Sequence, residues 1–193
     1  NATDDRGYNA LMIAAEHGNL GVVAKLLKIE NININATNAS RYNALMLAAE
    51  YGNLNIVNIL LPKFLKAGDS SIPRSVLKIA VYKGNANIVS SILQNYSDNV
   101  DINLKNEREI TAIMAASFHG YDEVTKVLIR NKCNINETDQ NGWNSLMFAV
   151  ERGNLRTVKL LLKNGADINY MSNDGWSPLL LAYVKNEEEI SKL

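Results

Sequence analysis

Two histidines, His17 and His119, and a single cysteine, Cys133, are the side chains of this 193-residue chain best suited to nucleophilic, acid–base or metal chemistry. Such chemistry needs groups that converge on one point. The histidines stand in equivalent settings, Ala15-Glu16-His17-Gly18 and Ser117-Phe118-His119-Gly120, three units of a repeat apart. If neighbouring helices pack ~8–10 Å apart, that spacing separates them by about 25–30 Å, too far to share a metal or a substrate. Cys133 has no evident histidine partner in the sequence, which reads as a structural thiol. The glycines are mostly single and periodic, so no loop is built to cradle a phosphate. Glu187-Glu188-Glu189 reads as a solvated helix start favoured by the helix dipole. No enzyme signature and no cofactor site emerges, and no small-molecule substrate is expected.

Twenty basic and twenty acidic side chains cancel, which argues against broad attraction to nucleic acid or anionic membranes. Apolar residues make up 47%, too many for a disordered tail. Apolar runs such as Leu179–Ala182 fall far short of the roughly 18 residues of a membrane span. A lone cysteine excludes an intrachain disulfide and suits a reducing compartment, so a cytoplasmic location is expected. Asparagine, a turn and cap residue that weakens element interiors, occurs 27 times. A folded chain this rich in it must have many turns and many helix starts.

The elements that position these residues come from a repeat. Asn9-Ala-Leu-Met-Ile-Ala-Ala-Glu-His-Gly18 returns as Asn43-Ala-Leu-Met-Leu-Ala-Ala-Glu-Tyr-Gly52, and again from Thr111 and from Asn144. Weaker copies start at Ser75 and Ser177. The anchor residues Leu11, Leu45, Leu77, Ile113, Leu146 and Leu179 are spaced by 34, 32, 36, 33 and 33. Each unit reads as two short helices. Asn9, Asn43, Ser75, Thr111, Asn144 and Ser177 are expected to cap the first helix. Glycines 18, 52, 84, 120 and 153 are expected to end it in a left-handed turn. Asn19, Asn53, Asn85 and Asn154 are read as caps of the second helix, with Asp122 substituting in the fourth copy. The stripe Val22, Val23, Leu26, Leu27 and its counterparts should bury one face of that helix. Ile-Asn pairs at 34–35, 102–103, 135–136 and 168–169 close the units before hairpin-like loops.

On these motifs the chain resembles the ankyrin-repeat family along essentially its whole length. The nearest copy runs from Asp139 through Gly142-Trp-Asn-Ser-Leu146 to Gly165-Ala-Asp-Ile-Asn169. The resemblance implies an all-α solenoid of helix-turn-helix repeats, one domain over 1–193 with repeats near 5–37, 38–69, 70–105, 106–138, 139–171 and a partial 172–193. Departures are visible. Met12, Met46, Met114 and Met147 stand where the family carries a histidine of a polar inter-repeat network, and are expected to pack between repeats instead. Pro62 falls late in a helix, and both the 67–73 and the 95–100 junctions are irregular. Both ends look cut, as in a fragment of a longer array.

The resemblance further implies a non-enzymatic module that holds another protein on the concave face made by first helices and hairpin tips. The family's contact slots fall here on Tyr8, Tyr42, Trp143 and Trp176 before the caps. Before the glycines they fall on His17, Tyr51, Tyr82, Lys83, Phe118, His119 and Arg152. Seven of the 13 aromatic residues lie in these slots, and Tyr, Trp and Arg dominate binding hot spots. For Trp143 and Trp176 a role in stiffening the hairpin tips weighs equally. The alternative is a targeting arm of a larger modular enzyme or of a secreted effector acting in a host cytoplasm. The stretch from Leu161 to Asn169 also resembles ankyrin sites of asparagine hydroxylation, a third and less favoured reading.

Overall fold

The computed structural model describes residues 2–66 and 71–192. The described residues are helical, with no strand among them, as expected for an all-α chain. They fall into two compact units, Asn1–Val100 and Asp101–Leu193. The first holds α1 (Ala10–Glu16), α2 (Leu20–Leu26), α3 (Ala44–Glu50), α4 (Leu54–Lys66), α5 (Ile72–Tyr82) and α6 (Ala86–Asn95). The second holds α7 (Ala112–His119), α8 (Asp122–Arg130), α9 (Ser145–Glu151), α10 (Leu155–Lys163), α11 (Pro178–Val184) and α12 (Glu188–Ser191). In the first unit α3 packs between α1 and α5, and α4 between α2 and α6. In the second α9 packs between α7 and α11, and α10 between α8 and α12.

First helices start as the sequence predicts in five repeats. The side-chain oxygens of Asn9, Asn43 and Asn144 accept the backbone N–H of Met12, Met46 and Met147 at 2.9, 2.9 and 3.0 Å. Thr111 and Ser177 do the same for Met114 and Leu180. Ser75 does not cap. Helix α5 begins a turn earlier at Ile72, with Pro73 in its first turn, and the Ser75 hydroxyl donates to the Ser71 carbonyl inside that helix. Helix α4 runs on through Pro62, while the part of the irregular junction at 67–70 lies outside the described residues. At the other irregular junction the chain makes one 3-10 turn, Ser97–Asn99.

Asn53, Asn85 and Asn154 play a different part from the one expected. Asn19, Asn85 and Asn154 sit at the starts of α2, α6 and α10, yet none of these side chains caps its helix. Instead Asn53 Nδ2 reaches the preceding repeat and donates to the Ala15 and Glu16 carbonyls at 2.7 and 2.9 Å. These are carbonyls of the last turn of α1, which have no intrahelical donor. Asn85 serves Ala49 and Glu50 in α3, and Asn154 serves Ser117 and Phe118 in α7. The same contact explains the glycines. Gly18 and Gly120 have φ of 71° and 68°, and a Cβ there would meet the Oδ1 of Asn53 or Asn154 at 2.8 or 2.7 Å. In the fourth repeat Tyr121, not Asp122, precedes α8, and Asp122 accepts the Thr157 hydroxyl of the next repeat at 2.6 Å.

Ile-Asn pairs also bridge repeats rather than only closing turns. Asn103 Oδ1 accepts the Asn134 N–H at 2.7 Å. Asn136 accepts the Asp167 N–H and donates to the Gly165 carbonyl. The hairpin-like loops are not paired strands. Isolated bridges occur at Thr3–Asn9 and Thr138–Asn144, and one side-chain oxygen organises each tip. Asp4, Asn38, Asn106 and Asp139 each accept two backbone N–H groups, two and four residues on.

The core lies between the helix pairs. Ile56, Val57, Leu60 and Leu61 are fully buried, as their spacing predicts. The equivalent stripe on α2 is not: Val23 is buried but Val22 is 47% exposed, because in this unit only α4 flanks α2 among the second helices. On α11, Leu179, Leu180, Tyr183 and Val184 are exposed, although Leu146, Met147 and Val150 in the matching slots of α9 are buried.

Two stability outcomes follow. Asn154→Ala removes the side-chain donor to the Phe118 carbonyl and leaves the Ser117 carbonyl only the Gly120 N–H at 3.3 Å, and is expected to cost about 1–2 kcal/mol in urea unfolding. Ser117 is buried with its hydroxyl unpartnered, in a slot where Ala15 and Ala49 stand in other repeats. Ser117→Ala is therefore expected to raise the same unfolding midpoint, by about 1 kcal/mol in stability.

Candidate protein-binding face

The residues expected to contact a partner sit at two places in each repeat: the hairpin tip just before the first helix, and the last turn of that helix. Tips are held from below. The Asp4 carboxylate accepts the Tyr8 N–H at 2.8 Å, and that bond, with a second from the Arg6 N–H, holds Asp4 below the usual carboxylate range against the opposing effect of desolvation. The Arg6 guanidinium lies 4.8 Å from the Tyr8 ring centre. Asn38 fixes the Tyr42 backbone, Asp139 that of Trp143, and the Ser172 hydroxyl that of Trp176.

At the helix ends a ladder appears that the sequence did not announce. The penultimate residue of one repeat's first-helix turn pairs with the last residue of the next. In the first unit the Glu16 carboxylate beside Tyr51 favours the neutral phenol, by hydrogen bonding and by charge, and raises the Tyr51 pKa. Lys83 Nζ lies 2.7 Å from Glu50, and that hydrogen-bonded ion pair raises the Lys83 pKa. In the second unit Arg152 lies 4.7 Å over the Phe118 ring, and Lys185 pairs with Glu151 at 3.2 Å. Exposed pairs of this kind add little stability each. Each brings a side chain of one first-helix end against one of the next.

Tyr42, Tyr82 and Lys83 come together around one open cleft of the first unit, with Ser75, Lys78 and Ile79. Tyr51 is 55% and Tyr82 39% exposed. His17 is exposed and its Nδ1 lies 2.9 Å from the Ile13 carbonyl, which can only accept, so Nδ1 carries the proton. In the second unit Phe118, His119, Trp143 and Arg152 join one aromatic cluster. Trp143 leans on Phe148 at 5.5 Å, Phe148 meets Phe118 edge-on at 6.2 Å, and Phe118 meets His119 edge-on at 5.2 Å. His119 stacks on Tyr121 at 5.3 Å. Half-buried Trp143 thus packs against the helix that follows it. Phe148 and Tyr121 were not picked out from the sequence, where Phe148 looked like one more apolar position of a first helix. The available signal was an aromatic five residues after Trp143, one helical turn past the cap.

Among the described residues there is no group of three His, Cys, Asp or Glu arranged to hold a metal, and no helix long and apolar enough to cross a membrane.

A family model described as ankyrin repeats (3 copies) matches residues 1–70, 77–172 and 113–193. This chain belongs to the ankyrin-repeat family. Two curated relatives are probable E3 ubiquitin-protein ligases of Oryza sativa subsp. japonica, XBOS32 and XBOS33. They are 39% and 37% identical over 77 residues, in each case 39% of this chain. The chain spans only about 15% and 14% of the length of these relatives. Ankyrin repeats mark a protein–protein interaction module, of a kind generally without catalysis of its own.

The ankyrin histidine slot is mostly apolar here, as expected, with Lys78 the exception in the third repeat. Met12, Met114 and Met147 are buried between helices and Met46 half-buried. Cys133 is buried as well, and desolvation pushes its thiol up from 9.0 to about 12. A thiol in that state is not a nucleophile at neutral pH. The native chain is therefore expected to react with iodoacetamide at pH 8 on the order of 100-fold more slowly than the urea-unfolded chain, read by mass spectrometry. The raised pKa also has a sign. Stability linked to the neutral thiol is complete below the unfolded value near 9.0 and falls as pH rises from there towards about 12, where the folded thiol ionises.

Proposed function

We propose that this ankyrin-repeat chain holds a protein partner on the face formed by its hairpin tips and first helices. One observation carries this reading. Tyr51 and Tyr82 keep large apolar rings in solvent although Glu16 already holds the Tyr51 hydroxyl. An exposed aromatic in a fixed rotamer loses little entropy when a partner covers it. The residues offered for contact are Tyr8, His17, Tyr42, Tyr51, Tyr82 and Lys83 in the first unit, and Phe118, His119, Trp143, Arg152 and Trp176 in the second. Balanced charge along these slots favours a protein over a nucleic acid. A cytoplasmic setting suits the unpaired Cys133.

A second reading takes support from the relatives. A related 77-residue stretch occurs within two probable E3 ubiquitin-protein ligases, so this chain would serve as the recruiting arm of a larger protein that carries the chemistry elsewhere. In both readings the chain binds and does not catalyse.

The combined substitution Tyr51→Ala, Tyr82→Ala and Phe118→Ala should leave the helical circular dichroism intact. Partners captured by the unsubstituted chain should bind it at least 10-fold more weakly. An intact fold with every partner retained at full affinity would remove the proposed face.

A further inference from the structure

Helix α5 differs from the other first helices in one slot. Where Met12, Met46, Met114, Met147 and Leu180 are apolar, the third repeat places Lys78. That ammonium is exposed and lines the cleft of about 510 Å³ between the tip of the second repeat and α5, together with Tyr42, Ser75, Ile79, Tyr82 and Lys83. The two lysines of the cleft are in different electrostatic states. Lys83 is neutralised by Glu50 at 2.7 Å. Among the described residues no carboxylate lies in ion-pair range of Lys78. Arg74, one helical turn before Lys78 and likewise exposed, adds a second cation on the same ridge of α5. Of the acidic groups at the first-helix ends of this unit, Glu16 lies beside Tyr51 and Glu50 pairs with Lys83. The cleft therefore has aromatic walls, an apolar floor at Ile79 and uncompensated positive charge.

We propose that this cleft takes an acidic side chain of a partner polypeptide, its carboxylate on Lys78 and its apolar neighbours against Tyr42 and Tyr82. The inference rests on the partner-holding reading above and adds the chemistry of what is held in the first unit. A carboxylate supplies the charge that Lys78 lacks, and the two tyrosine rings cover the flanking chain. A polyanion fits less well, because the chain as a whole carries no net charge to attract a run of phosphates.

The test is selection of a phage-displayed random dodecapeptide library on the intact chain, on Lys78→Glu and on Lys78→Met. Lys78 is exposed, so both variants should keep the native circular dichroism. Peptides selected on the unsubstituted chain should be enriched in Asp or Glu beside an aromatic or aliphatic residue. They should bind Lys78→Met about 10-fold more weakly and lose measurable binding to Lys78→Glu, which should itself select Lys- or Arg-containing peptides. Acidic enrichment that persists on Lys78→Glu, or its absence on the unsubstituted chain, overturns the proposal. So does a poly-dT oligonucleotide that binds in place of the peptides and is lost in Lys78→Glu. Peptides that lose affinity on Tyr82→Ala but not on Lys78→Met would uphold the partner-holding face and remove the acidic-cleft proposal alone.

Discussion

A short helix leaves the carbonyls of its last turn without donors, and a stack of helices of seven or eight residues multiplies that problem. The chain solves it with one side chain. The amide nitrogen of Asn53, Asn85 or Asn154 reaches from one repeat to the two terminal carbonyls of the preceding first helix. The bond is between repeats, so it fixes their spacing as well as satisfying the helix end. It also dictates the residue beneath it. Glycine accommodates both the left-handed turn and an asparagine oxygen that lies 2.7–3.1 Å from where a Cβ would be. The glycine of one repeat and the asparagine of the next therefore act as a single device.

The exposed strip depends on that spacing. With first helices held side by side, the end of one lies beside the end of the next, and side chains there pair across the repeat boundary. Glu16 with Tyr51 and Glu50 with Lys83 do so in the first unit, and Phe118 with Arg152 and Glu151 with Lys185 in the second. Individually these contacts are weak. Together they line the rings and cations of the proposed face along the first-helix ends. The two units use the ladder differently. The first leaves Tyr51 and Tyr82 in solvent, Tyr82 beside a cleft that Lys78 and Lys83 also line, while the second folds Phe118, Phe148 and Trp143 on one another.

Much of the fold could be read in the residue order. A period near 33, a cap-type residue before each first helix and a glycine after it dictate helix pairs, and five of six expected caps form. The exception is instructive. Ser75 matches the slot, but Ile72 and Pro73 supply apolar residues and a helix-starting proline one turn earlier, so the helix begins there. The asparagines before second helices were misread for a related reason. Position identifies a residue able to cap, yet the same amide can serve its own helix or a neighbour, and nothing in the linear pattern distinguishes the two. Repeat slots name the residues of the proposed strip but not their partners, because Phe118 and Arg152 are 34 positions apart and come together through the stack.

Local chemistry, then, was written in the chain: where helices start and stop, which face is apolar, and which repeat slots carry aromatics. Those features depend on interactions within a few residues or on a period, and both survive in one dimension. Which asparagine bridges to which carbonyl, which exposed ring is tethered, and which lysine is left without a counter-charge depend on the distance between repeats. That distance is fixed when apolar faces pack side by side, and Lys78 acquired its significance there, as an uncompensated cation in a cleft that no stretch of sequence outlines.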